Sequence, residues 1–231
     1  MKKLFVVSDI HGHYTPLKEA LEQVGFDPEN ADHLLICCGD YFDRGNENVE
    51  VLRFFERIKH KVLLRGNHED MLLKLLHTGK MLPHHYINGT ISTLQNFFGK
   101  YFIDPVDDSI DFSGKTRTVD RLCEFIEDTV DYFETEHYVF VHGWFPENRQ
   151  TATADDWAKA RWVRWTQQYK GERPLPDKTL ICGHVPTFCY GQAKEPFEIF
   201  CGNGIIAIDA GTADTKKINV LVLEDSLLLN R

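Results

Sequence analysis

Short apolar runs alternate with amphipathic stretches through the first third of the chain. Residues 4–7, 34–38 and 62–64 are almost wholly apolar, with Leu4-Phe5-Val6-Val7 and Leu34-Leu35-Ile36-Cys37-Cys38 the clearest. Runs this short, closed by polar residues or glycine, read as strands buried on both faces. Between them, residues 15–24 carry Leu17, Leu21 and Val24, and residues 49–58 carry Val51, Leu52, Phe54, Phe55 and Ile58, both at helical spacing. Strand, helix, strand, helix, strand predicts a parallel βαβαβ opening with right-handed crossovers. Further helices are expected over 69–76 and 122–132. Residues 138–141 and 179–182 read as two more buried strands. The tail turns β-rich, with short strands over 205–208 and 220–223 and a candidate third over 198–201, and these are expected to join 138–141 and 179–182 in a second sheet. The expectation is an α/β two-sheet sandwich with helices outside. Without repeats or a linker-like segment, residues 1–231 are expected to form one domain.

Residues 77–121 interrupt this regularity. Pro83-His84-His85-Tyr86 and Asn88-Gly89-Thr90 break the pattern, and Leu94, Phe97, Phe98, Tyr101 and Phe102 bring apolar side chains close together. The segment reads as a mostly helical insert. Each aromatic taken singly is better explained as core.

Polar residues with metal-ligand chemistry sit just beyond the apolar runs. Asp9-Ile10-His11, Gly39-Asp40-Tyr41-Phe42-Asp43-Arg44-Gly45, Gly66-Asn67-His68-Glu69, His142-Gly143 and Gly183-His184 each follow a predicted strand. In α/β sheets the ligand crevice lies beyond the carboxyl ends of the strands. A lone Asp or His there would be a cap or a hydrogen-bonded core residue; five such motifs together are not.

The order D-x-H, G-D-x-x-D-R-G, G-N-H-E and two later histidines resembles the phosphoprotein phosphatase branch of the calcineurin-like metallophosphoesterases. The resemblance runs from residue 9 to 184 and extends to Arg161-Trp162-Val163-Arg164 and to Ile206-Ala207-Ile208-Asp209-Ala210-Gly211. Short bacterial and phage members include protein phosphatases and symmetrical diadenosine tetraphosphate hydrolases. The resemblance implies the αββα metallophosphoesterase sandwich, with the insert near the mouth of the site. It implies two divalent cations, Mn²⁺ first and Fe or Zn as alternatives: Asp9, His11 and Asp40 would hold one, and Asp40, Asn67, His142 and His184 the other. A hydroxide bridging the metals would attack phosphorus in line. His68 would protonate the leaving oxygen, oriented by Asp43. Arg44 and Arg164 would clamp the phosphate, with Asn67 also facing substrate. Arg161 competes with Arg164 for the clamp, or is instead a surface salt-bridge residue. Glu69 reads as a brace or cap. His13, two residues after a ligand, could touch substrate, but His13, His84 and His85 each read as ordinary exposed or rim histidines outside the ligand set, and Trp144 either walls the cleft or packs. The sequence Gly183-His184-Val185-Pro186 departs from the Gly-His-x-His of many broader metallophosphoesterases. That departure favours the phosphatase and dinucleoside tetraphosphatase branch over nucleases and cyclic-nucleotide phosphodiesterases.

Composition changes the picture only at the edges. A net charge of −9 argues against a nucleic-acid partner. It would also repel a phosphorylated protein or a dinucleoside polyphosphate, so the attraction must be local, from two dications and the arginines. No apolar run is long enough for a membrane span, and the N-terminal run stops too early for a signal peptide. Six cysteines without a C-x-x-C pair suggest free thiols and a cytoplasmic setting. Nothing in the chain suggests a regulatory subunit.

Overall fold

The computed structural model describes residues 2–99, 103–104, 107–191 and 197–225. Its elements run β1 (Lys2–Val7), α1 (Tyr14–Gln23), β2 (His33–Cys37), α2 (Asn48–Arg57), β3 (Lys61–Leu63) and α3 (Asn67–Thr78). Then follow α4 (Pro83–Asn88), α5 (Thr90–Phe98), α6 (Thr116–Glu127), β4 (Phe133–Glu134), β5 (Tyr138–Phe140), α7 (Ala154–Arg161), α8 (Trp165–Gln168) and β6 (Thr179–Cys182). The chain closes through β7 (Phe200–Gly202), β8 (Ile205–Ala207), α9 (Thr212–Thr215) and β9 (Leu221–Asp225).

The strands form two sheets, ordered β3-β2-β1-β9 and β4-β5-β6-β8-β7. β1, β2 and β3 are parallel, as are β5, β6 and β8; β9, β4 and β7 join antiparallel at the edges. Alternation along the strands explains the layering. Leu4, Val6, Leu34, Ile36, Phe140 and Ile181 point into the space between the sheets and pack with Leu64 and Ile208. Phe5, Val7, Leu35 and Cys37 point the other way, under Leu17, Leu21, Leu52, Phe55 and Leu72 of the first helices. Val139, Leu180 and Cys182 face Trp157 and Trp165 on the far side of the second sheet. Both faces of each central strand are therefore covered, which is why those strands are continuous apolar runs in sequence.

One expectation is corrected. Residues 220–223 were expected in the second sheet, but β9 pairs antiparallel with β1 in the first, Leu4 opposite Leu223 and Val6 opposite Leu221. An apolar run specifies a strand and not its partner, and here it covers what would otherwise be the open edge of β1.

The insert is helical through α4 and α5. Among its described aromatic residues, Phe97 packs edge-on to Phe42 and Phe98 against Phe112, whereas Tyr86 is exposed and donates to Asp108. Tyr101, Phe102 and Lys100 lie outside the described residues.

Candidate active site

Asp9, His11, Asp40, Asp43, Arg44 and His184 all have positive φ, between 48° and 72°. Few non-glycine residues adopt this conformation, and such residues concentrate where surrounding structure overrides local preference. The chain leaves each strand in a tight reversal that turns these side chains toward one point. The reversals nest closely: a Cβ on Gly66 would fall 2.1 Å from Asp40 Oδ1, so no larger residue fits there.

Asp40 is the centre. Its Oδ2 lies 3.6 Å from His11 Nε2 and 3.8 Å from His68 Nε2, and its Oδ1 lies 3.4 Å from His142 Nε2. Two groups of side chains converge on it, one with His11 and His68, the other with His142 and His184. Asp9 belongs to neither group; its Oδ2 accepts from the Ser8 hydroxyl and from the His184 backbone N–H. Asn67, the first residue of α3, places Oδ1 2.8 Å from His142 Nε2.

The donor set suits a divalent cation. His142 Nδ1 lies 2.7 Å from the Cys38 carbonyl and His11 Nδ1 2.9 Å from the Phe42 carbonyl, so each Nδ1–H donates and each Nε2 turns a lone pair inward. The His142 lone pair then meets Asn67 Oδ1 with no proton between them, an arrangement a cation relieves. Protonation is a poor substitute. Burial holds His11 well below the ordinary 6.5, and lowers His142; burial and the neighbouring His142 push His184 down to about 3. Burial also holds the Asp40 carboxyl well above its ordinary range. Neutral imidazoles around a carboxylate that needs a counter-charge are the ligands borderline and hard divalent cations take.

His68 is held differently. Its Nδ1 lies 2.7 Å from Asp43 Oδ2, and its Nε2 lies 3.4 Å from Arg44 Nη2. Burial alone would lower its pKa, but the charge of Asp40 and the hydrogen bond and charge of Asp43 outweigh burial, and the net shift is upward. Asp43 is itself anchored by the insert. Thr93 Oγ1 donates to Asp43 Oδ1 at 2.8 Å, Thr90 Oγ1 donates to Oδ2 at 3.0 Å, and the Asp43 N–H donates to Thr93 Oγ1. The Arg44 N–H donates to the Gly89 carbonyl. The inner face of α5 thus braces the carboxylate that orients His68, a role sequence reading did not assign. The available signal was two threonines three residues apart, facing the same way on a helix otherwise buried by apolar residues.

Glu69 closes the back of the site. Its Oε2 accepts from the N–H groups of Asp40 and Gly66, and its Oε1 from that of Tyr41. Burial pushes Glu69 up to about 7 against the pull of these donors.

Above this floor opens a cavity of about 220 Å³, lined by His11, Asp40, Asn67, His68 and His184 together with Arg44, Asn88, Trp162, Arg164 and Asp209. Arg44 and Arg164 both reach it and both are exposed. Arg161 does not: it is buried in ion pairs with Asp70 and Asp131. Asp209 was seen in sequence only as part of a terminal motif; it is buried, and burial and the charge of Asp9 hold its carboxyl well above the ordinary range. His13, His84, His85 and Trp144 do not line the cavity, and His13 and His85, expected exposed or at the rim, are buried. His13 Nε2 meets Lys216 Nζ at 3.0 Å, and Trp144 stacks on Phe145.

Comparison with known proteins identifies the family. Residues 2–205 match the family described as calcineurin-like phosphoesterase. Serine/threonine-protein phosphatase 2 of Escherichia coli (strain K12) is 32% identical over 135 residues, 57% of this chain and 56% of that protein. The symmetrical bis(5'-nucleosyl)-tetraphosphatase of Ectopseudomonas mendocina (strain ymp) is 41% identical over 75 residues, 32% of this chain and 27% of that protein. The aligned stretches thus span about half of the first relative and about a quarter of the second. Among solved structures, the cold-active protein-tyrosine phosphatase of a psychrophilic Shewanella has a TM-score of 0.58 at 18% identity, over 97% of this chain and 76% of that one. That likeness is one of fold.

Proposed function

The chain belongs to the calcineurin-like phosphoesterase family, and from that premise we propose that it is a metal-dependent phosphomonoesterase acting on phosphorylated protein, as a single-domain cytoplasmic enzyme of the serine/threonine phosphatase type. One observation carries the reading: a single cavity is floored by Asp40 and its histidines, flanked by the His68–Asp43 pair and rimmed by Arg44 and Arg164. The residues to hold two divalent cations are Asp9, His11 and Asp40 for one, and Asp40, Asn67, His142 and His184 for the other. We take Mn²⁺ as the occupant, with Fe or Zn also suited to these nitrogen and oxygen ligands. When bound, the cations would neutralise phosphoryl charge and supply a nucleophile from water.

The protein's own side chains do the rest. Arg44 and Arg164 hold the phosphoryl oxygens, each fork able to take two of them. Asn67, at the N-terminus of α3, orients the phosphoryl group from the floor. His68 turns Nε2 into the cavity while Asp43 accepts from Nδ1, which fixes the ring and favours its protonated form. The proton on Nε2 passes to the leaving oxygen as the ester bond breaks.

The second reading is a symmetrical dinucleoside tetraphosphatase, favoured by the relative that carries that name. Charge and size speak for the first. A tetraphosphate chain needs several cations along its length, but among the described lining residues Arg44 and Arg164 are accompanied by Asp209 and Asp214. The cavity also lies below the roughly 300–1,000 Å³ typical of pockets that enclose a drug-sized ligand, so it suits a phosphoryl end rather than a dinucleotide. The test is turnover by the Mn²⁺-loaded protein of phosphoserine and phosphotyrosine peptides beside diadenosine tetraphosphate. Phosphate from a peptide with little ADP supports the proposal. Strong ADP release with silent peptides replaces it by the second reading.

A further inference from the structure

Arg161 is a charged residue only 4% exposed, and none of the chemistry above uses it. Its Nε and Nη2 donate to the two oxygens of Asp70 at 2.7 and 3.0 Å, and its Nη1 donates to Asp131 Oδ1 at 2.6 Å. A two-point fork and a third short bond spend most of the guanidinium's donors and leave it one orientation.

The location of its partners gives that orientation meaning. Asp70 is in the first turn of α3, two residues beyond His68 and three beyond Asn67. Asp131 follows Val130, whose backbone pairs with Leu63 and Arg65 at the end of β3. Asp70 therefore rides on the first sheet's layer, and Asp131 sits where the chain leaves the bridge to that sheet on its way to β4. Arg161 ends α7, which follows β5 of the second sheet. The turn after it carries Trp162 and Arg164 into the cavity. That turn sits directly on the ligand loop: a Cβ on Gly143 would fall 2.7 Å from the Arg161 carbonyl and 2.8 Å from that of Val163.

We propose that Arg161 is a positioning residue, whose strut to Asp70 and Asp131 fixes the separation between the acid His68 on one sheet's helix and the clamp Arg164 beyond the other's. Substrate bridges these two groups, and they belong to different layers. Hydrogen bonds at the floor also join the layers, His142 to the Cys38 carbonyl and the His184 N–H to Asp9; the strut is the charged link that runs from the helix of His68 to the helix ending at the turn of Arg164. Salt bridges of this burial are often no more stabilising than well-packed apolar residues. What the fork adds is geometry, and lysine, a point charge without a fork, does not reproduce it.

The kinetic part of the test rests on the phosphatase reading, so it is paired with a binding measurement that does not. Arg161→Lys and Asp70→Asn are compared with wild type at saturating Mn²⁺. The readouts are kcat/KM on p-nitrophenyl phosphate and on a phosphoserine peptide, calorimetric affinity for inorganic phosphate, and thermal melting. Asp70→Asn keeps the shape of the acceptor and covers the case in which the lysine variant does not fold. The expected result is a loss of kcat/KM on the order of tenfold to a hundredfold, larger on the peptide with its poorer leaving group, with phosphate bound about tenfold more weakly and no rescue by lysine. Wild-type phosphate affinity and a wild-type ratio between the two esters, with only the melting temperature lowered, would overturn the proposal. A wild-type protein that binds phosphate but hydrolyses neither ester would end the phosphatase reading, while the phosphate affinities of the variants would still decide the strut.

Discussion

Asp40, Asn67 and His142 at the floor of the cavity are buried, and the backbone holds them: Asp40 Oδ1 accepts from the His68 N–H, His142 is pinned by the Cys38 carbonyl, and Asn67 opens a helix. Arg44 and Arg164 at the rim are exposed, on long side chains. A cation held at this floor would tolerate little error in ligand placement, and the cost of burying its charges would be met only with every donor in place. A rim that admits substrate would keep its groups in solvent, free to take up position when phosphate arrives. Between the two, His68 is buried like the floor and faces the cavity like the rim.

The largest effect should come from breaking the floor. Asp40→Asn removes the carboxylate on which both convergent groups depend. Metal content by mass spectrometry and ester hydrolysis should fall together, the latter by at least about a thousandfold, roughly 4 kcal/mol in the barrier. Full metal occupancy in this variant would remove Asp40 from the centre of the site.

His68→Asn should separate the intermediate position from the floor. Metal is retained, while kcat drops by about a hundredfold or more, most on poor leaving groups. A variant as fast as wild type on a phosphoserine peptide would exclude His68 as the acid. Arg164→Lys acts on the rim alone; kcat/KM should fall about tenfold with metal affinity unchanged, because a point charge replaces a fork. Thr93→Val tests whether the insert serves the chemistry. Losing the hydroxyl that donates to Asp43 should cost about 1 kcal/mol of transition-state stabilisation, roughly fivefold in rate. No change would reduce α5 to a packing element.

The smallest effect concerns pH without metal. With no cation, Asp40 and Asp209 sit well above 3.8, Glu69 at about 7, and His68 above 6.5. The folded protein keeps protons that the unfolded chain gives up, so the stability tied to these groups is lost as pH rises through their folded values. His11, His142 and His184 shift downward, and their contribution is already complete above 6.5. The metal-stripped protein should therefore melt a few degrees lower at about pH 8 than at pH 6.5, and Mn²⁺ should remove the difference. A melting temperature that does not respond to pH after chelation would contradict the placement of these carboxyls.

The fold was most legible where the chain is buried on both sides. Residues 4–7 and 34–38 announce strands because covered faces allow no polar residue, and the motifs beyond them announce chemistry because Asp, His and Asn are costly there without a ligand. β9 was assigned to the wrong sheet, since a half-buried run of four residues, 220–223, fits either edge. The choice between Arg161 and Arg164 could not be made from two arginines three residues apart. The structure takes Arg161 into ion pairs with Asp70 and Asp131, 91 and 30 residues away in sequence, and leaves Arg164 lining the cavity. The threonines that hold Asp43 lie 47 and 50 residues from it.

Sequence by itself determined the layered α/β class, the family resemblance and the side chains offered as ligands, acid and clamp. These follow from local rules: periodicity, the chemistry of a residue type, and its place after a strand. Only the tertiary structure decided which arginine lines the cavity, what braces Asp43, how the chain reverses at Asp9, Asp40 and His184, and which sheet β9 completes. Each of these depends on contacts between distant segments, where packing overrides the local preference that a sequence displays.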